Sequence, residues 1–212
     1  MPLSRRSAFA VLLISALAAF SAPALAAGDA ARGKDISYTC LGCHGIESYK
    51  NIYPTYSVPE LYGQHPEYII AALKEYRSGE RSHATMHQQA ASLSDQDIED
   101  IAAFFSGEVL KPGAPTVGTP PAKVAALCVA CHGKDGVGVM AEYPTLAGQH
   151  ADYIARALEE YKKGDRKNPI MPSFMTGVSE QEMREIADYY AQQTPGLRTE
   201  PRQMTILSSA PK

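Results

Sequence analysis

The sequence predicts an all-α protein built from two tandem helical domains, and three observations carry that reading. One unit of pattern occurs twice at nearly fixed spacing. Within each copy, apolar residues recur on one helical face, as at Ile98, Ile101, Ala102 and Phe105 or at Met183, Ile186, Ala187 and Tyr190. No run reads convincingly as a strand. A chain of 212 residues allows one domain or two, and the repeat decides for two.

Residues 1–26 read as a secretory signal peptide. Arg5 and Arg6 form a positive start, Ala8 to Phe20 a short apolar run, and Ala24-Leu25-Ala26 a small-x-small cleavage site near Ala26. The apolar run is too short to span a membrane. A bacterial periplasmic address follows. Loss of Arg5 and Arg6 takes the formal net charge from −3 to −5, which argues against nucleic acid as a partner. No later segment has the length of a membrane helix, so peripheral association is the membrane contact left open to the mature chain.

The first domain spans 27–107. Asp29 caps an opening helix. A middle helix runs from Pro66 to Ser78 and stops at Gly79. A last helix opens on the capping box Ser94-Asp95-Gln96-Asp97. Residues 108–121 form a linker, in which Lys111-Pro112-Gly113-Ala114-Pro115 and Thr119-Pro120-Pro121 make a stiff, irregular stretch. The second domain, 122–194, repeats the plan. Pro121 suits the first turn of its opening helix, the middle helix is Ala151 to Lys163 before Gly164, and the last helix opens on Ser179-Glu180-Gln181-Glu182. The tail, 195–212, has three prolines and no periodic apolar pattern, so it is expected to be loosely ordered.

All four cysteines fall in two pentapeptides, Cys40-Leu41-Gly42-Cys43-His44 and Cys128-Val129-Ala130-Cys131-His132. C-x-x-C-H is the attachment signature of c-type haem. Residues three apart share a helix face, so both thiols reach the vinyl groups of one porphyrin as thioethers, and the following His offers a nitrogen to the iron. A disulfide framework would use more cysteines in a chain this size and would not place a His after each pair. A thioredoxin-like pair needs a βαβ context that is missing here, and a zinc site would have to join two distant regions. The reading is two covalently bound haem c groups, one per domain. Covalent attachment needs accessible thiols, which favours export of an unfolded chain over the twin-arginine route.

The iron's sixth position decides between carrier and catalyst. Met86 and Met171 hold the same place in the repeat, seven residues before Leu93-Ser94 and Val178-Ser179, and a thioether suits reduced iron. Met175 is a rival in the second domain, but Ala90 stands at its counterpart. His83 and His87 flank Met86, where the second domain has Asn168 and Pro172. A second repeated motif, P-x-L-x-G-Q-H, runs from Pro59 to His65 and from Pro144 to His150. The Pro59 and Pro144 carbonyls are candidates to accept the other ring N–H of His44 and His132. Gly63 and Gly148 suit close approach to a porphyrin or a plain turn. His65 and His150 read as capping or propionate-side groups, and Tyr76 and Tyr161 as packing residues.

Together these motifs resemble the cytochrome c4 family of dihaem cytochromes, over nearly all of the mature chain. The resemblance implies two cytochrome c folds in tandem, each wrapped around one haem, with axial pairs His44/Met86 and His132/Met171. It also implies a periplasmic electron carrier feeding a terminal oxidase. Its partners would be redox proteins, an upstream cytochrome complex or dehydrogenase and a downstream oxidase. Two departures stand out. The second domain has the glycine-rich turn Gly133-Lys134-Asp135-Gly136, whereas the first has Gly45-Ile46-Glu47-Ser48 and three extra residues around Tyr49 to Ser57. Pro121 stands where the first domain has Gly33, a residue the family uses to pack its first helix on its last. The competing functions are a fixed haem subunit of a larger dehydrogenase or oxidase and, with an open iron site, a dihaem peroxidase.

Overall fold

A computed structural model describes residues 28–200. The signal peptide expected at 1–26 and the tail beyond 200 lie outside the described residues. In the first domain α1 is Ala30–Ile36, α2 Leu41–His44, α3 Pro66–Ser78, α4 Ala84–Ala90 and α5 Asp95–Ser106. In the second, a π-helical turn at Val124–Cys128 runs into α6, Val129–His132, and α7 Ala151–Lys163, α8 Met171–Met175 and α9 Glu180–Ala191 follow. Among the described residues β-pairing is confined to isolated bridges.

The local signals act as their chemistry requires. The Asp29 carboxylate accepts from the Ala31 and Arg32 amides and starts α1. Gly79 and Gly164 end α3 and α7 in the left-handed region, at φ 81° and 79°. Both capping boxes form, Ser94 with Asp97 and Ser179 with Glu182. The helices α4 and α8 are additions to the plan read from sequence, because five to seven residues are too few to show a period.

The first core gathers Leu41, Ile69, Ile101, Phe104 and Phe105, and the second Val124, Ile154, Leu158, Ile186 and Tyr190. Helix α5 packs on α1 and α3, and α9 on α7. The α1–α5 approach depends on Gly33, where a Cβ would lie 1.9 Å from the Asp100 carbonyl oxygen. Buried Asp100 ties the two helices, accepting from the Asp29 amide and Gln96 Nε2, both at 2.8 Å, and from Arg32. In the second domain the helix begins only after Pro121, whose carbonyl accepts from the Ala125 amide at 3.0 Å. Val124 reaches the core through its side chain instead, beside Met183 and Ala187.

The linker and the described start of the tail are both tied down. Asp135 accepts from the Gly113 and Ala114 amides at 2.6 and 3.0 Å, and Gln193 pairs both ways with the Val117 backbone. The loosely ordered tail expected from residue 195 is corrected for its described part. Leu197 is 5% exposed, and its amide donates to the Ala147 carbonyl at 2.8 Å. Arg198 pairs with the Tyr62 backbone and stacks on its ring, and Thr199 donates to the Glu60 carboxylate. An extended segment docks by backbone pairing, which leaves no apolar period to read.

The repeated P-x-L-x-G-Q-H motif joins the domains. Gln64 reads the backbone of Thr145, donating to its carbonyl at 3.0 Å and accepting from its amide at 2.8 Å. Gln149 does the same to Glu60, with both bonds at 2.9 Å. These reciprocal, buried bonds relate the domains by an approximate twofold and satisfy amides that would otherwise be costly to bury.

Candidate haem centres

Each C-x-x-C-H lies on its own helical turn at the mouth of an apolar cleft. Cys40, Cys43 and His44 line one cleft with Ile69, Leu73, Ile101 and Phe105. Cys128, Cys131 and His132 line the other with Ile154, Leu158, Phe174 and Ile186. Burial pushes the Cys128 thiol up to about 11 and raises Cys40 as well. Such thiols are poor thiolates at neutral pH, which speaks against a redox dithiol. Among the described residues no group of three or more His, Cys, Asp and Glu side chains could hold a bare metal ion. The apolar clefts and paired thiols do fit a porphyrin.

The histidines of the two C-x-x-C-H turns are oriented alike. His44 Nδ1–H donates to the Pro59 carbonyl oxygen at 2.9 Å, and His132 Nδ1–H to that of Pro144, also at 2.9 Å. A carbonyl only accepts, so Nδ1 carries the proton and Nε2 keeps its lone pair free for iron. Burial lowers the pKa of both imidazoles, and the carbonyl bonds oppose it. The neutral form, the one that ligates, is favoured.

Met86 lines the first cleft, and Met171 the second. The same device sets their helices. His83 Nδ1 accepts from the Met86 amide at 3.2 Å, and Asn168 Oδ1 from the Met171 amide at 2.9 Å. His83 is therefore the counterpart of an Asn cap. His87 Nδ1–H donates to the Tyr76 carbonyl at 2.8 Å. Each flanking histidine thus has a structural partner. Met175 also lines the second cleft, yet it is a core residue, as is its counterpart Ala90.

Other readings change. Gly148 faces the tail, since a Cβ there would lie 2.8 Å from Gly196 Cα. Gly63 sits at φ 95° with its amide on the Phe105 carbonyl, a turn position. Neither lines a cleft. His150 Nε2 lies 3.1 Å from the Glu60 carboxylate, and His65 Nε2 lies 3.3 Å from the Gly138 carbonyl, so both bridge domains. The extra residues of the first domain form a short hairpin, with Asn51 and Val58 amides on the Tyr56 and Tyr49 carbonyls at 2.9 Å. Asn51 and Tyr56 line the first cleft, while Ile52 and Tyr53 stand 90% and 95% exposed. Four further residues, Tyr68, Arg81, Tyr153 and Arg166, come together between the clefts. The repeat already aligned Gly79-Glu80-Arg81 with Gly164-Asp165-Arg166, a signal that sequence reasoning left unused.

The cytochrome c family model matches this chain twice, at residues 30–107 and 122–194. Cytochrome c4 of Pseudomonas aeruginosa is 33% identical over 84% of this chain and 96% of that protein. The chain belongs to the cytochrome c4 family. The structure of reduced recombinant cytochrome c4 from Pseudomonas stutzeri aligns with a TM-score of 0.62 at 29% identity, covering 81% of this chain and all of that one. A thiosulfate dehydrogenase electron acceptor from Stutzerimonas stutzeri is 33% identical over 72% of this chain and 77% of that protein. As a member of the cytochrome c4 family, the protein is a dihaem electron carrier with two covalently bound haem c groups, and it is not an enzyme.

Proposed function

We propose that this cytochrome works in the periplasm, taking electrons from a cytochrome complex or a dehydrogenase and passing them to a terminal oxidase. The observation that carries the reading is the pair of matched clefts, each with C-x-x-C-H, a carbonyl-oriented His and a Met at the same repeat position. When bound, each haem supplies a one-electron change at iron. The chain's own residues do the rest. His44 with Met86, and His132 with Met171, would hold the iron of each haem, and a ligand set kept in both oxidation states would suit one-electron transfer. The apolar clefts would exclude water from the iron. Pro59 and Pro144 fix the imidazole planes. The match to a thiosulfate dehydrogenase electron acceptor supports a dehydrogenase among the donors, and the Arg5–Ala26 stretch supports export.

The test is a stopped-flow experiment with the reduced, fully loaded protein and membranes carrying the organism's terminal oxidases. Both haems are expected to oxidise as oxygen is consumed, and the protein is expected in the periplasmic fraction. Rapid peroxide turnover, or carbon monoxide binding to the native reduced protein, would overturn the carrier reading in favour of an enzyme.

A further inference from the structure

The hairpin of the first domain has an apolar tip. Ile52 and Tyr53 are 90% and 95% exposed, and Ile46 and Tyr49, on the same loop, are exposed as well. The tip is braced. The Asn51 amide donates to the Tyr56 carbonyl and the Thr55 hydroxyl to the Ile52 carbonyl, both at 2.9 Å. Ser57 bonds Asp152 of the second domain through its amide and its hydroxyl, and Lys50 pairs with the same carboxylate at 3.4 Å. Large apolar side chains held out in water by such bonds mark a surface that another molecule covers.

The tip belongs to the first cleft. Asn51, Tyr56 and Val58 form part of its wall, so at ~3.3 Å per residue Tyr53 stands within about 10 Å of that wall. A molecule seated on the tip therefore lies beside the first haem site. Charge selects among the molecules that could sit there. Residues 28–110 carry 6 lysines and arginines against 12 aspartates and glutamates. Most of those cations are engaged: Arg32 and Arg77 with aspartates of their own domain, Lys50 with Asp152, and Arg81 in the buried interface. Asp35, Glu47, Glu67, Glu80 and Glu108 stay exposed. A second copy would bring the same acidic surface against this one, and an anionic lipid headgroup the same sign of charge. A basic protein surface is complementary.

We propose that Ile46, Tyr49, Ile52 and Tyr53 form the docking face for a redox protein that presents an apolar hollow ringed by lysines and arginines. This rests on the electron-carrier reading above, to which it adds the docking surface and the chemistry of the partner. The apolar tip supplies the core of the contact, and the acidic domain steers the partner toward it. Because the hairpin is also cleft wall, docking delivers the partner to the first haem rather than the second.

The experiment is stopped-flow oxidation of the reduced, fully loaded protein by an oxidised, lysine-rich monohaem cytochrome c, at low and high salt, with haem content and both potentials measured in the same samples. The wild-type second-order rate is expected to fall as salt rises. Ile52→Ser together with Tyr53→Ser should lower it on the order of tenfold at either salt, and Glu47→Lys should lower it at low salt only. Met140→Ser, at an exposed apolar site of the second domain, should leave the rate in place. Both potentials should hold in every variant. Rates that ignore the double substitution, follow Met140→Ser equally, or rise with salt would overturn the docking face alone. So would wild-type binding to phosphatidylcholine vesicles that the double substitution abolishes, in favour of a membrane, or a wild-type dimer that it dissolves, in favour of a second copy. A loaded protein that passes no electron to the probe and turns over peroxide instead would overturn the carrier reading itself.

Discussion

The two domains agree in the residues that line and orient their clefts and differ in how they pack their first helix and close their haem loop. The C-x-x-C-H His, its proline carbonyl, the cleft Met, the interface Gln and the interface Arg all occupy matched positions with matched bonds. Elsewhere the copies diverge. The first domain clamps α1 to α5 through Gly33 and buried Asp100, while the second has Pro121 and exposed Glu185 there. The second closes its haem loop with a glycine turn under Tyr189 and Tyr190, whose hydroxyls donate to the Lys134 and Gly133 carbonyls at 2.7 and 3.1 Å. The first uses a hairpin with an exposed tip, whose Ser57 amide and hydroxyl donate to Asp152 of the second domain at 3.0 and 2.9 Å. The difference teaches that the cleft geometry is held in common, while helix packing and loop closure are solved differently in each copy.

The largest effect should come from removing one attachment site. With Cys128→Ala and Cys131→Ala together, intact mass should show one haem per chain, and the helical signal of the second domain should largely vanish. An 80-residue unit buries only a modest core without its porphyrin. The mirrored Cys40→Ala and Cys43→Ala pair should do the same to the first domain. Full helicity with one haem would break the view that the cofactor is part of each core.

A smaller effect separates the domains. Gly33→Ala puts a methyl into the Asp100 carbonyl and should cost about 2–3 kcal/mol, as overpacking does. Pro121→Ala should stay within about 0.5 kcal/mol. Denaturant unfolding measures both, and equal costs would show that the second domain has an equivalent helix contact.

The smallest effect is acid sensitivity of the two caps. Bonds from the Ser94 side chain and backbone, helped by Arg32, hold Asp97 down at about 2, and bonds from Ser179 lower Glu182. Both folded states favour the ionised carboxylate. Each contribution is therefore present above the ordinary carboxylate range and is lost as pH falls through the folded value. For Asp97 that window runs from about 3.8 down to about 2. Far-UV circular dichroism of Asp97→Asn should lose this part of the acid transition, and an unchanged profile would remove Asp97 from the account.

Much of this was legible in the chain. C-x-x-C-H names its own chemistry, and Gly79, Gly164, Ser94 and Ser179 punctuate helices through local bonds that need no tertiary partner. The proline carbonyls could be proposed because a ligating His needs an acceptor on its far nitrogen. The interface stayed hidden for a physical reason. The side chains of Gln64, Gln149, Arg81 and Arg166 reach across to bond the other domain, and sequence spacing carries no information about which surfaces meet. The tail escaped notice likewise, since Leu197 docks on Ala147 by a single extended pairing.

The central claim is that each iron has one His and one Met, with Met86 serving the first haem and Met171 the second. The direct measurement is the Met-sulfur-to-ferric-iron charge-transfer absorption of the oxidised protein, compared with Met86→Ala, Met171→Ala and Met175→Ala. The expected result is a band of two-haem intensity, halved by either of the first two substitutions and kept by the third. A band absent from the native protein, or one that Met175→Ala halves while Met171→Ala leaves it whole, would contradict the assignment.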